Sequence, residues 1–423
     1  MANPGIAVPG AVVPSGSQAS PAGPQGIQGP TAVSTDAGNL AVLGSDNLVS
    51  VPTSSITAVR LRSFNAMGNP TFECDQVNVG GAIAGGKVCD RWYVNKAGTM
   101  AVTTSRGTAV WTSPIVVPGT NFVISNNYLN VTLSTAQASL GATDNLNIYQ
   151  QIEGPLFREL SFDVHSISLL VRSTVSNLKF GINLRDSTTS RSLTKLCTIP
   201  SANTWTLVPL PNLPTWPGAG TFGITAGTLA YYLTITLACG STYVTPANDT
   251  WQTGNFFGAI GQDNFAGKAV NSTFDLAFVQ HEPGPLCTTP IDCPFTQNYD
   301  DCLRYFSKSY DYDVKPGTAS QNSYATFFWP YNISGTFTAY GGRPFPKPMA
   351  KLPAMTAYHN TSGAANSAFE YYCPTTYGVT VTGASTTVNS MIATKNGVQA
   401  ITSSGTSPGP ITLFAEWTAD TGW

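Results

Sequence analysis

Hydrolysis of a glycosidic bond needs two carboxylates placed across it, one as acid and one as base or nucleophile. The chain has 22 acidic residues in 423. Glu153, Glu159, Asp163, Asp249, Asp263 and Glu282 are the candidates, and none of them stands in a catalytic motif. Glu153 and Glu282 lie at the ends of strand-like phrases, where a structural role fits better. The sequence therefore predicts no enzyme, with an acid pair assembled from distant segments as the open alternative. Sugar binding asks for less: an aromatic face to stack on a pyranose and amide or carboxylate side chains to bond its hydroxyls. Trp216, between Pro214 and Pro217 in a long loop, is the candidate expected to be most exposed. Trp251 and Tyr243 flank a polar loop that carries Asn248 and Asp249. These five residues are the predicted contacts, against the plainer reading in which each aromatic plugs an edge of the fold. Trp205, in a strand phrase, reads as core.

No metal or cofactor site is expected. His165, His281 and His359 are far apart, and the eight cysteines form no CxxC pair. Cys74 with Cys89, and Cys287 with Cys293, are open candidates for loop staples, while Cys239 reads as a small core residue. Sequons such as the one at Asn130 arise readily in a chain rich in Asn, Ser and Thr.

The elements that must position these groups are strands. Leu229, Tyr231, Leu233, Ile235, Leu237 and Cys239 alternate without a break, as do Leu178, Phe180, Ile182 and Leu184, and Phe274, Leu276 and Phe278. The apolar set Leu160, Phe162, Val164 changes parity to Ile167, Leu169, Val171, which predicts a bulge or bend. Turn-rich spacing without long helical patterns predicts an all-β fold: an antiparallel, jelly-roll-like β-sandwich followed by a C-terminal β-domain. One short helix is expected over Asn298 to Ser309, with Asn298 as its N-cap and Tyr299, Cys302, Leu303 and Phe306 as its apolar stripe.

Six phrases fall in order along the middle of the chain: YQQIEG from Tyr149, LSFDVHS from Leu160, IPSANTWT from Ile199, ACGSTY from Ala238, FVQHEPG from Phe278 and CLRYFSKSY from Cys302. The series resembles bacteriophage tail-fibre and adhesin proteins, in which a carbohydrate-binding-module-like sandwich precedes a short helix and a distal β-domain. NAMGNPTFE and CDRWYV, near residues 65 to 94, are similar to the opening of that sandwich, with Trp92 as a core residue. His281 departs from the pattern, where an aliphatic residue is usual; buried, its imidazole would need a partner. The resemblance implies residues 1–59 as a docking segment, 60–285 as the sandwich with Asp144 to Leu160 as an internal link, 286–310 as linker and helix, and 311–423 as the distal domain.

Composition agrees with that setting. Charged residues are 10% of the chain, against about 25% in ordinary domains, so the surface must be built from Ser, Thr, Asn, Gln and Gly. A net charge of −2 offers no footprint for nucleic acid, and no run of about 18 apolar residues suggests membrane insertion. The first residues lack the pattern of an export signal, as expected of a virion component assembled in the host cytoplasm and released by lysis. Gly23, Gly26 and Gly29 mark three Gly-X-Y triplets, which read either as a flexible linker or as the register of three chains in a collagen-like stretch. The resemblance favours the second, and with it a homotrimer. It implies a tail fibre whose N terminus attaches to a phage tail or capsid protein and whose body binds host-surface polysaccharide or an outer-membrane receptor. A head fibre or decoration protein is the alternative, and a depolymerising tailspike a further one. Tyr331, Tyr340, Tyr358, Tyr371, Tyr372 and Trp423 of the distal region are candidates for a second contact surface or for a trimer axis.

Overall fold

The structure, a computed structural model, describes residues 42–43, 49–50, 64–110, 113–162, 164–291, 293–319, 325–329, 333–359, 362–365, 369–373, 381–407 and 411–423. The chain divides into two compact units, Met1–Arg60 and Leu61–Trp423. In the first, β1 (Val42–Leu43) and β2 (Val49–Ser50) form an antiparallel pair. Gly23, Gly26, Gly29, Asp163 and Tyr331 lie outside the described residues.

The second unit begins with a sandwich of two antiparallel sheets. Its strands are β3 (Gly86–Cys89), β4 (Trp92–Ala97), β5 (Ala101–Thr108), β6 (Asn127–Thr135) and β7 (Asn145–Glu153). After helix α1 (Gly154–Leu160) come β8 (His165–Ser173), β9 (Leu178–Asp186), β10 (Arg191–Ile199) and β11 (Thr206–Leu213). β12 (Leu229–Cys239), β13 (Trp251–Thr253) and β14 (Thr273–Pro283) complete the set. Seven strands pair in the order β13-β10-β9-β12-β7-β4-β3 and five in the order β11-β8-β14-β6-β5. The alternating apolar residues meet between the sheets: Trp92, Phe180, Tyr231, Leu233, Ile235 and Phe274 are fully or almost fully buried there. Each such side chain contributes about 2 kcal/mol of transfer free energy.

The outer faces differ. On the five-stranded sheet, Leu170, Ala277 and Phe278 are covered by Ile115, Val117 and Ile124 of the arm between β5 and β6. On the seven-stranded sheet the outer face is polar and partly open.

Three expectations are corrected. Asp144 to Leu160 is not a link: β7 lies inside the seven-stranded sheet between β12 and β4, and α1 follows at once, with Pro155 in its first turn. The parity change after Leu160 is a helix ending and a strand beginning, not a bulge; Phe162 sits in the turn between them, 74% exposed. The predicted helix is shorter and earlier. It is α2 (Phe295–Leu303), with Pro294 at the N-cap position, and Asn298 lies within it, buried, its Nδ2 donating to Asn69 Oδ1 at 3.2 Å. Past Leu303 the backbone turns into β15 (Phe306–Lys308), whose ladder with the last strand of the chain takes the bonds a longer helix would have used.

The remaining strands are β16 (Ala325–Trp329), β17 (Ile333–Pro344), β18 (Ala354–Tyr358), β19 (Phe369–Cys373), β20 (Val381–Thr394), β21 (Gly397–Ser407) and β22 (Ile411–Asp420). The path β22-β16-β17-β21-β20-β19 returns to β22, closing an antiparallel ring of six strands that leaves no free edge in that ring. The C-terminal half of β22 extends beyond it and is flanked by β15 and β18.

This region is bonded to the start of the sandwich. Lys87 of β3 pairs with Asp420 at 2.5 Å, and Tyr312 donates to the Glu73 carbonyl at 3.0 Å. Beneath the seam, Asn69, at a positive φ of 50°, binds the Cys74 and Asp90 carbonyls through Nδ2 and accepts from the Cys74 amide through Oδ1. Cys74, Cys89 and Cys287 are free thiols, so neither proposed staple forms, and the buried Cys74 neighbours Cys302 instead of bonding Cys89. Cys239 is half-buried at the end of β12.

Candidate functional site

The polar outer face of the seven-stranded sheet is built by period-two alternation in adjacent strands. In β7 the residues Leu146, Ile148 and Ile152 face the core, so Asn145, Asn147, Tyr149 and Gln151 must face outward. In β4, Trp92 and Val94 point inward and Tyr93 and Asn95 outward; in β12, Tyr232 and Thr234 face out between Tyr231, Leu233 and Ile235. The ladders set these side chains in rows. Tyr93 stands opposite Tyr149 and Asn95 opposite Asn147, while Tyr232 lies between Gln151 and Arg185.

The result is a cleft of about 380 Å³, walled on one side by the loop after β13. That loop is held down by β9 and β12: Asn183 Nδ2 donates to the Phe256 carbonyl at 2.7 Å, and Thr236 Oγ1 to the Phe257 carbonyl at 2.6 Å. Gly181 eases this close approach, since a Cβ there would lie 3.3 Å from the Ala259 nitrogen and 3.4 Å from the Phe257 carbonyl oxygen of the loop. Tyr243, on a single 3-10 turn after β12, stacks on Phe257 with ring centroids 4.6 Å apart.

Two aromatic platforms therefore flank the cleft, Tyr93 stacked with Tyr149 at 5.3 Å and Tyr243 stacked with Phe257. Between them run amides: Asn95 Nδ2 donates to Asn145 Oδ1 at 3.2 Å, and Asn147 Nδ2 to the same oxygen at 2.9 Å. Arg185 lies over the Tyr232 and Phe257 rings, its guanidinium carbon 5.3 and 4.8 Å from their centroids. Its Nη1 donates to Asn255 Oδ1 at 2.8 Å and its Nη2 to Thr234 Oγ1 at 3.1 Å. Arg185 Nε and Gln151 Oε1 have no hydrogen-bond partner among the described residues. Burial pulls Arg185 down to about 10, so it stays charged at neutral pH.

Of the residues singled out from sequence, only Tyr243 lines this cleft. Trp216 is not an exposed platform. It is half-buried, its Nε1 donates to the Leu160 carbonyl at 3.1 Å, and its ring packs on Phe157, Phe222, Tyr231 and His165. Trp251 joins the same cluster 5.5 Å from Trp216 and donates to the Thr215 carbonyl. Asn248 uses both ends of its amide on Ile260, and Asp249 pairs with Lys195 at 2.6 Å. Trp205 is partly buried beside the Arg172 guanidinium and Tyr128. Trp423 is buried against Tyr305 and Ala350, which removes it from any contact surface. Tyr358 packs on Tyr310, whereas Tyr340 is exposed. The backbones of Tyr371 and Tyr372 belong to β19.

The buried acids serve the fold. Glu153 accepts from Arg304 Nε and Nη2 at 3.0 and 2.6 Å, from Tyr305 Oη at 2.7 Å and from the Gly227 amide at 2.6 Å. Burial opposes its charge, but the bonds from Arg304, Tyr305 and Gly227 prevail and hold its carboxyl below the usual range. This knot borders a second hollow of about 280 Å³ at the seam, where Arg91 lies 3.6 Å from the Tyr305 ring centroid. Glu282 accepts from Gln280, the Thr288 amide and the Thr288 hydroxyl. His281 is buried, and it has its partners: Tyr231 Oη at 2.7 Å and His165 Nδ1 at 3.0 Å.

No family model matches the chain, and no curated protein matches it. Solved structures do. The family 11 carbohydrate-binding module from Clostridium thermocellum aligns at 10% identity over 47% of this chain and 91% of its own, with a TM-score of 0.25. The tailspike protein 4 enzymatically active domain of Bacteriophage CBA120 aligns at 13% identity over 52% of this chain and 21% of its own, with a TM-score of 0.25. The tandem family 22 modules of Paenibacillus barcinonensis Xyn10C align at 9% identity over 86% of this chain and 92% of their own, with a TM-score of 0.23.

Proposed function

We propose that the cleft on the seven-stranded sheet binds a polysaccharide chain without cleaving it, and that the protein is a phage fibre that carries this cleft to the bacterial surface. The observation that carries the binding reading is the pair of stacked aromatic platforms with a row of amides between them. A pyranose presents an apolar face to such rings and a rim of hydroxyls, each donor and acceptor, to the amides. No carboxylate lines the cleft among the described residues, so no residue there could serve as the acid of a glycosidase. The fibre reading rests on the ordered phrases, the low charge and the Gly-X-Y triplets, and it implies a homotrimer attached through residues 1–59. Three shallow clefts on one particle would gain by avidity what each lacks in affinity.

The test is titration of the purified protein with host-surface polysaccharide, with adsorption to host cells and mass in solution measured in parallel. Binding that Tyr149→Ala weakens, adsorption that competes with the phage, and a trimeric mass are the expected results. A protein that neither adsorbs nor competes loses the fibre role, and a stable monomer loses the trimer.

A further inference from the structure

Resting on that cleft reading, we infer that the bound glycan is acidic, and that Arg185 takes its anionic substituent. Arg185 lines the cleft and no Asp or Glu pairs with it among the described residues. Its two bonded partners, Asn255 Oδ1 and Thr234 Oγ1, are neutral acceptors. Burial pushes the neighbouring Tyr149 phenol and Cys239 thiol up, so neither supplies a negative charge at neutral pH. Nε has no partner. A guanidinium that is largely desolvated and lacks a counter-ion is an unfavourable state, which an anion bound beside it relieves.

The rest of the cleft agrees. The groups around Arg185 are amides, phenols and a phenyl ring, so nothing in the wall repels an anion, and the chain places its paired carboxylates elsewhere. Arg185 is also held in place between Tyr232 and Phe257, so a fork already ordered by stacking loses little freedom on binding.

Carboxylate sugars and sulfated sugars both supply the charge, and the experiment separates them. Wild-type protein is titrated against neutral, uronate-containing and sulfated bacterial or algal oligosaccharides. Every uronate ligand is repeated after reduction of its carboxylates to primary alcohols, which keeps the ring and removes the charge. The expected result is binding confined to acidic members, lost about tenfold or more on carboxyl reduction or desulfation. Arg185→Gln is expected to lower the affinity for the acidic form to that of the reduced form, with little further loss when the two changes are combined; Arg185→Lys falls between. Should Arg185→Gln fold poorly, carboxyl reduction against wild type still decides. Equal affinity for a ligand and its reduced form overturns the inference and leaves the cleft reading standing, provided Tyr149→Ala weakens both. Absence of binding to every member, or binding indifferent to Tyr149→Ala, overturns both.

Discussion

The seam hollow is bordered by Arg91 and Arg304 and the sheet cleft by Arg185, and Arg304 and Arg185 have their charges met in opposite ways. At the seam Arg304 is matched by Glu153, which also accepts from Tyr305 and the Gly227 amide, so a single carboxylate receives four donated bonds. In the cleft Arg185 meets only neutral oxygens and keeps Nε unpaired. Both regions are polar, and both carry aromatic rings beside a guanidinium. The difference is the carboxylate: Glu153 answers Arg304, none answers Arg185, and Arg91 at the seam likewise has Nε and Nη1 without a partner among the described residues. A closed network fixes one part of the chain against another, and a ligand entering it would have to displace bonds already made. An open one has bonds left to give, which is what recognition requires.

Buried neutral histidines should make the sandwich fail in acid, and the largest effect is expected there. Burial lowers His165 to about 3, and burial together with its neighbour His165 lowers His281 well below its ordinary value. Unfolded, both titrate near 6.5. Both remain neutral in the folded protein while the unfolded chain takes up protons below that pH. Stability is therefore full above 6.5 and falls with pH toward 3, by about 1.4 kcal/mol per pH unit for each histidine. Urea denaturation at pH 7 and pH 5 measures the slope, and His281→Gln should make it shallower. An unchanged slope in that variant would mean that His281 is not buried as a neutral group.

Glu153→Ala comes next. It leaves Arg304 without its partner and Tyr305 without its acceptor at a site where Glu153 is 2% exposed. A loss of about 3 kcal/mol is expected in urea unfolding, somewhat moderated because Arg304 is one third exposed. Glycan affinity of the folded variant should not change. If affinity falls with stability intact, the seam is the binding site and the assignment of the two regions is reversed.

How much of this was legible depended on which face of a strand carried the signal. Leu229 to Cys239 and Leu178 to Leu184 announced themselves because their inward residues are aliphatic and aromatic. The outward residues of β7 alternate just as strictly, Asn145, Asn147, Tyr149 and Gln151, yet amide and phenol side chains at alternate positions also look like a polar linker. That period-two polar set, repeated by Tyr93 and Asn95, was the available signal for the cleft. Arg185 and Asn255 offer none, because only strand pairing places β9 across β12 from β7, and only the bonds from Asn183 and Thr236 hold the loop after β13 over that face. Trp216 misled for a related reason. Flanking prolines marked a loop, but not that the loop folds back to place its indole over Phe157 and Tyr231. The helix was found but misplaced, since Phe306 continued its apolar stripe while being claimed by a ladder to Asp420 that sequence separation conceals.

Tyr149→Ala and Trp216→Ala set the comparison on aromatic residues. Tyr149 stands on an outer face beside Tyr93 and Tyr232, so its loss should cost about 1–2 kcal/mol of binding, roughly tenfold in affinity, with unfolding nearly unchanged. Trp216 is a packing residue, and its removal should cost about 2–3 kcal/mol of stability while leaving affinity alone. Calorimetric titration and thermal unfolding of both variants read the two quantities separately. The opposite pattern would return the binding site to the loop between β11 and β12.

The smallest effect is expected at Asp249, and it is diagnostic because it should be close to nothing. Asp249 was a predicted contact, and its side chain is 61% exposed with Lys195 as its partner. An exposed pair of this kind contributes about 0.5 kcal/mol or less. Its amide still donates to the Thr194 carbonyl whatever the side chain becomes, so the loop should keep its path. Asp249→Asn should therefore leave both unfolding and glycan affinity within error of wild type. If it weakens binding as much as Tyr149→Ala does, the ligand reaches the loop edge beside β10, and the open network must be redrawn to include it.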